Sequence, residues 1–354
     1  MNPFTFFELP SVDRQNNVDL LRAMAVTAVF IHHSQHVFGG SFPFFGEYGG
    51  QFGPQLFFLI SGYLITASWD KYSWREYICH RFFRIMPAYL LFFLGFGILQ
   101  HVVTIQRVAE NPGYFLANLL LAQQIVPLAL VTFDVLHVTW TLTVELLWYA
   151  SVPLFAVLLT RYPRRTVLVT TVISTIWVIL ASKGVLNPLF PTVQHEPGWI
   201  YLFAANHFLA QMCFFVFGAW VYRNKTDLKN IHPLSALLVG LMVFLLRPYY
   251  FVFNPIFITG IGLMCFLIAA INLADMKNRL IMLLSETSYS IYLCHFPILL
   301  FMGQRFPQSS AMGLLLATAG TLLLSFVTYK LVEKPGMQLG RECAARWKSR
   351  PAAM

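Results

Sequence analysis

Eleven long apolar stretches, separated by short polar or basic turns, limit what this chain can fold into. They run at 20–38, 52–69, 84–102, 113–131, 139–160, 166–184, 201–222, 233–248, 254–274, 279–302 and 310–332. Most approach or reach the roughly 20 residues that a helix needs to cross a hydrocarbon core about 30 Å thick. Charged residues make up only 11% of the chain, where a soluble domain carries about 25%. An all-α polytopic membrane protein is therefore predicted. Helices and short loops account for all 354 residues, so one membrane domain is expected over 1–354. Residues 1–18 would be a cytoplasmic or interfacial lead-in, and 336–354 a basic cytoplasmic tail. No tandem repeat or low-complexity linker is visible.

The net charge of +9 does not point to nucleic acid, because the cations fall in short loops between apolar stretches, as topology signals do. The opening MNPFTFFELPSVDRQNN has neither a basic n-region nor a small-residue cleavage site, so no removable signal peptide is expected. Phe4, Phe6 and Phe7 could rest on the membrane surface. Cys213, Cys265 and Cys294 lie in apolar stretches, and Cys79 and Cys343 in basic segments, so no disulfide framework is implied.

The positive-inside rule orients the spans. Lys71, Arg75, Arg81 and Arg84 place one loop in the cytoplasm, and Arg161, Arg164 and Arg165 another. Arg223, Lys225, Lys229, Lys277, Arg279 and the tail after Lys330 agree. Only Arg107, Lys183, Arg247 and Arg305 would fall outside. Loop 39–51 has no Lys or Arg and is external, so the first helix runs outward from a cytoplasmic start. Both ends of 103–138 are then external. The stretch 113–131, interrupted by Asn111-Pro112-Gly113, Gln123-Gln124 and Pro127, should dip in and return or lie on the surface. The expectation is about ten transmembrane helices plus this re-entrant or interfacial segment, with both termini cytoplasmic.

Ionisable residues inside spans suggest function by default. The first helix, DLLRAMAVTAVFIHHSQH, carries Arg22 and His33 eleven residues apart. That separation is about three turns, so both share one face roughly 16 Å apart along the axis. His33, Glu145, His295, and Asn206 with His207 and Gln211 all sit roughly 8–15 Å in from the outer ends of their spans. Side chains that lipid excludes, at one depth on separate helices, are expected to face a common interior. At the inner side the groups are cationic: His80, Arg81 and Arg84 lie in HRFFRIMPAY, and such residues suit phosphate-bearing ligands.

Plainer roles are open for each. Arg22 could pair with Asp19, Glu145 and His295 could hold helices together, and Arg81 and Arg84 could be topology charges. His32 and His36 read as structural or interfacial. Ser61-Gly62 is not the G-x-S-x-G elbow and reads as small residues that let helices pack closely. Cys294 reads as a small apolar residue. The histidines lack metal-ligand spacing with Cys or carboxylates.

Taken together, VDLLRAMAVTAVFIHH, GGQFGPQLFFLISGYLI, RFFRIMPAY, WTLTVELLWY, SYSIYLCHFP and Glu333-Lys334-Pro335 resemble, in order and spacing, the acyltransferase-3 family of integral membrane acyltransferases over nearly the whole chain. Pro54 and Trp148 depart from the family pattern. An extracellular hydrolase-like domain, which follows the bundle in some members, is not expected here.

The resemblance implies transfer of an acyl group, usually acetyl from acetyl-CoA, to a hydroxyl of a carbohydrate or other acceptor. On that reading acyl-CoA is a donor substrate, not a tightly bound cofactor, and its nucleotide meets Arg81 and Arg84 from the cytoplasm. Its pantetheine arm passes Arg22. His33 acts as general base, by direct transfer or through an acyl-His intermediate, with Glu145 orienting it or binding the sugar. Trp140, Tyr149 and His295 are candidate acceptor-binding residues. The expected location is a bacterial cytoplasmic membrane, and the partners are lipid, acyl-CoA and a glycan or glycolipid acceptor. The rival class is a proton-coupled transporter, against which stands the lack of a visible inverted repeat.

Overall fold

In a computed structural model the protein is described over residues 16–193, 197–245, 256–274, 276 and 278–348. Phe4, Phe6, Phe7, Arg247, Lys277 and the end of the tail, all used in the sequence reading, lie outside these residues. The helices are α1 (Asn16–Phe38), α2 (Phe45–Lys71), α3 (Trp74–Leu99), α4 (Ile105–Glu110), α5 (Pro112–Leu119), α6 (Pro127–Thr132), α7 (Trp140–Arg161), α8 (Pro163–Ser182), α9 (Pro197–Ile200), α10 (Phe208–Arg223), α11 (Lys225–Leu228), α12 (Pro233–Leu245), α13 (Ile256–Asn272), α14 (Arg279–Gly303), α15 (Ala311–Thr328) and α16 (Lys334–Lys348). A π turn, Tyr329–Glu333, joins α15 to α16, and another, Tyr201–Ala205, precedes α10. No strand occurs among the described residues.

Two of the helices are built inside out. The buried face of α8 is Thr166, Thr170 and Ser174, while Leu168 on its outer face is 63% exposed. The buried face of α15 is Gly313, Ala317, Thr321, Ser325 and Thr328, and its Leu323 is 67% exposed. Water would drive the opposite arrangement. Small and hydroxylated residues facing neighbouring helices, with leucine facing out, are what a bilayer selects, because packing and interhelical hydrogen bonds replace the hydrophobic drive there. Ser174 shows the polar half of this, donating to Leu209 O at 2.8 Å.

Among the described residues four helical stretches are long and apolar enough to cross a membrane: Trp74–Leu99, Trp140–Arg161, Pro163–Ser182 and Ala311–Trp347. Gly198–Ala205 with Phe208–Arg223, bent by 41°, makes a fifth if the pair is one span. Ten spans are more than these establish. The chain is an all-helical protein with membrane-crossing helices.

The chain divides into two compact units. The first is Met1–Gly53, Ser68–His101 and Asp275–Met354, and the second is Pro54–Ala67 and Val102–Ala274. In the first, α14 packs between α1 and α15, and α16 lies along α3. A capping box starts α3: Ser73 Oγ accepts from Glu76 N and Glu76 Oε2 from Ser73 N. This satisfies two of the helix's free N–H groups and sets where Arg81 and Arg84 fall. The segment read as a basic tail is largely α16, joined to α15 through the π turn.

The glycine-rich stretch differs from its expected form. α2 begins at Phe45, so Gly49 and Gly50, expected in the external loop 39–51, are helical, as are Gly53 and Pro54 after them. Glycine costs a helix about 1 kcal/mol, but packing outweighs that here. A Cβ on Gly49 would come within 2.1 Å of Ala28 O, so the missing side chain lets this part of α2 lie directly on α1.

In the second unit α10 packs against α7, α8 and α13, and α12 against α13. The stretch 113–131 makes only α5 and α6, of 8 and 6 residues. Eight residues of helix span about 12 Å, well short of a bilayer core. Polar side chains hold the break. Thr143 donates to Gln123 Oε1 at 2.5 Å, and Gln123 Nε2 donates to Asn118 Oδ1 at 3.1 Å. Asn118 in turn donates to Ala129 O at 2.5 Å.

Candidate active site

In the first unit His33 and His295 meet. His33 Nδ1 is 2.8 Å from His295 Nε2, with ring centroids 5.0 Å apart. Phe296 stacks on His33 at 4.4 Å. His295 is 1% exposed, and His33 is half-buried.

The proton positions follow from the acceptors. His295 Nδ1 faces the carbonyls of Tyr292 at 2.8 Å and Ile291 at 3.1 Å. Carbonyl oxygen only accepts, so His295 carries its proton on Nδ1 and presents a lone pair at Nε2. His33 Nδ1–H then donates to that lone pair. Neutral His33 therefore has its basic lone pair on Nε2. If Nε2 gains a proton, the resulting imidazolium still has His295 to receive its Nδ1–H. A second imidazole thus fixes the tautomer and orientation of the first, the role that a carboxylate or carbonyl plays for many catalytic histidines.

The flanking histidine has another task. His32 Nδ1 donates to Gly46 O at 2.8 Å, pinning the start of α2. Arg22, half-buried, lies 3.8 Å from Asp19 on the adjoining turn, and Ser285 Oγ holds Asp19 Oδ1 at 2.6 Å. The pairing with Asp19 that spacing allowed is thus present.

Arg81 and Arg84 project from one turn of α3. Arg81 Nη2 donates to Ser68 Oγ at 2.8 Å, tying α3 to the end of α2. Arg84 Nη1 lies 2.9 Å from Met337 Sδ on α16. Its charge acts on Glu333, which is 1% exposed and accepts from Ser290 Oγ at 2.5 Å. Both arginines are half-buried.

In the second unit Glu145 is one turn before Tyr149 on α7, and the Tyr149 hydroxyl donates to Glu145 Oε1 at 2.7 Å. Ser61 Oγ, from α2, donates to the same oxygen. The sequence reading gave Ser61 and Gly62 one packing role, but their tasks differ. Gly62 is the packing residue: a Cβ there would come within 2.0 Å of Phe215 O on α10. Ser61, next to it, is turned to the carboxylate. The helical period alone does not say which of two adjacent residues meets which neighbour, so no sequence signal singled out Ser61.

Trp140 sits edge-on to Phe58 at 6.2 Å and packs against the cluster around Leu130, Phe190 and Phe203. Trp148 is fully buried against Phe215, with centroids 5.1 Å apart. Asn206, His207 and Gln211 stand at the break before α10. Gln124 accepts from Phe208 N at 3.1 Å and donates to Asn206 O at 3.3 Å, and His207 stacks on Trp177 at 4.7 Å. These groups satisfy a broken helix. Among the described residues no three His, Cys, Asp or Glu side chains group as a metal site.

Comparison with known proteins agrees with this architecture. The family described as "Acyltransferase domain", acyltransferase-3, matches residues 15–330. The O-acetyltransferase OatA of Staphylococcus aureus is 22% identical over 351 residues, covering 90% of this chain and 56% of OatA. Nodulation protein 10 of Rhizobium leguminosarum bv. viciae is 27% identical over 218 residues, covering 54% and 59%. BcsY of Komagataeibacter xylinus is 23% identical over 363 residues, covering 97% and 88%. The chain therefore spans little more than half the length of OatA. No solved structure matches. α16 begins at Lys334, past the matched region. With the match spanning α1 through α15, helices that carry the paired histidines, the two arginines and Glu145, the chain belongs to the acyltransferase-3 family.

Proposed function

We propose that this protein is a membrane O-acyltransferase that moves an acyl group, most simply acetyl, from a cytoplasmic acyl-CoA to a hydroxyl of a cell-surface glycan or related acceptor. In this reading it sits in a bacterial cytoplasmic membrane by about ten spans with both termini inside. The segment 113–131 dips in from the outer side or lies along its surface. The observation that carries the chemistry is the His33–His295 hydrogen bond, which leaves the basic lone pair on His33 Nε2.

The acceptor hydroxyl gives its proton to His33 Nε2 as its oxygen attacks the thioester carbonyl. The C–S bond breaks, and the leaving thiolate recovers the proton from His33 to give CoA–SH. His295 holds the ring in register while the charge on His33 comes and goes. Arg81 and Arg84 bind the CoA phosphates, with Arg22 along the path of the pantetheine arm. Glu145 binds or orients the acceptor, and Trp140 and Tyr149 contribute to binding it, while His295 acts through His33. The similarity to OatA, an O-acetyltransferase by name, supports acyl transfer to oxygen.

The test is transfer of labelled acetyl from acetyl-CoA to acceptor in membranes. His33→Ala is expected to lose at least about 100-fold, the usual worth of a general base, at normal expression. Full activity in that variant would refute the assignment. Counterflow of a solute in vesicles without acyl-CoA turnover would favour a transporter instead.

A further inference from the structure

Ser61, Glu145 and Tyr149 form a constellation in which the general-base reading gives Ser61 no part. The Ser61 and Tyr149 hydroxyls both donate to Glu145 Oε1. Tyr149 reaches it from the same helix, one turn on, and Ser61 from α2. Gly62, beside Ser61, has no room for a Cβ against Phe215 O, so this part of α2 lies close on α10. A hydroxyl, a base within hydrogen-bonding reach and a third group orienting the base are the parts of an activated nucleophile.

A serine–glutamate bond can also be simple glue between helices, and the protein contains such a pair for comparison. Ser290 and Glu333 make the same contact, but they are 0% and 1% exposed, with no way in for a substrate. Ser61 and Glu145 are each partly exposed, although Ile60 and Gly62 on either side of Ser61 are buried. A pair needed only as glue has no reason to stand open.

We propose that Ser61 is an acyl-accepting nucleophile and Glu145 its base; this rests on the acyl-transfer reading above and replaces direct attack on the thioester by a covalent carrier. In the first half-reaction Ser61 Oγ attacks the thioester carbonyl carbon, and its proton passes to Glu145. The C–S bond breaks, and the thiolate takes that proton from Glu145 as CoA–SH. Ser61 is left as an acyl ester. In the second half the acceptor hydroxyl attacks the ester carbonyl and gives its proton to Glu145. The ester C–O bond to Ser61 breaks, and Ser61 Oγ recovers that proton. Each half closes without net gain or loss of protons, and no redox partner is needed.

The experiment uses the purified full-length protein and labelled acetyl-CoA without acceptor, with acid quench, digestion and mass spectrometry. One acetyl ester per chain, on Ser61, is expected, with a matching burst of CoA–SH and discharge when acceptor is added. Ser61→Ala should lose both the label and at least about 100-fold of the transfer rate. Ser61→Cys should carry the label as a thioester cleaved by neutral hydroxylamine. The wild-type label does not depend on how any variant folds. Wild-type turnover with no ester on Ser61 across a rapid-quench series, or transfer at wild-type rate by Ser61→Ala, would overturn the nucleophile and leave the acyl-transfer reading standing. Failure of the wild type to consume acetyl-CoA with any acceptor would overturn both.

Discussion

His33 Nδ1 lies 2.8 Å from His295 Nε2, and the proton between them belongs to His33 because His295 Nδ1 already donates to the main chain. One buried imidazole thus dictates the tautomer of its partner. His295→Ala would remove that control and leave the His33 N–H facing a void. The expected loss is about 10- to 100-fold in kcat, on the scale of removing a group that orients a functional histidine. His295→Gln, which keeps an acceptor oxygen, should retain more activity than His295→Ala. Equal rates for the two would show that the acceptor is not what matters.

The arginines of α3 make separable predictions. Arg84→Ala is expected to raise KM for acyl-CoA by about tenfold, the worth of one charge-assisted contact, with kcat and KM for the acceptor little changed. Arg81 also holds Ser68 at the end of α2. Arg81→Ala should therefore raise KM for acyl-CoA and lower the melting temperature in detergent, whereas Ser68→Ala should lower the melting temperature alone.

Gly62 leaves no room for a side chain, because a Cβ would lie 2.0 Å from Phe215 O, and main chain cannot swing aside. Gly62→Ala is expected to cost about 2 kcal/mol or more, as overpacking does, seen as a lower midpoint in thermal unfolding of the purified protein.

The break between α5 and α6 depends on Gln123, which serves both Thr143 and Asn118. Gln123→Leu would strand their polar atoms and should cost about 1–3 kcal/mol. Pairing it with Thr143→Val should restore part of the loss. A double mutant no better than the sum of the singles would argue against a direct coupling.

Much of the helical frame could be read directly. Apolar runs bounded by charge predicted α1, α7, α8, α14 and α15 within a few residues, whereas α3 starts at Trp74, well before the apolar run at 84–102, and Pro127 with the paired glutamines predicted that 113–131 would not stay one helix. α2 was less legible. Its glycines look like a loop by propensity, and only the nearness of Ala28 O shows why a helix tolerates them. α16 was read as a basic tail because its composition is polar, yet its glycines lie against α3, with Gly340 facing Phe83 and Cys79 O.

By itself the sequence determined that this is an all-helical membrane protein, with Arg22 and His33 on one helix and candidate site residues on α1, α3, α7 and α14. Those conclusions rest on helical period and on the cost of ionisable groups in lipid, both of which act locally along the chain. Tertiary structure decided which side chains meet: His33 with His295, 262 residues away, and Ser61 with Glu145, 84 away. Hydrogen bonds between helices depend on rotation and approach to within a few tenths of an ångström. Packing of small residues such as Gly62 sets that approach, and no one-dimensional pattern specifies it.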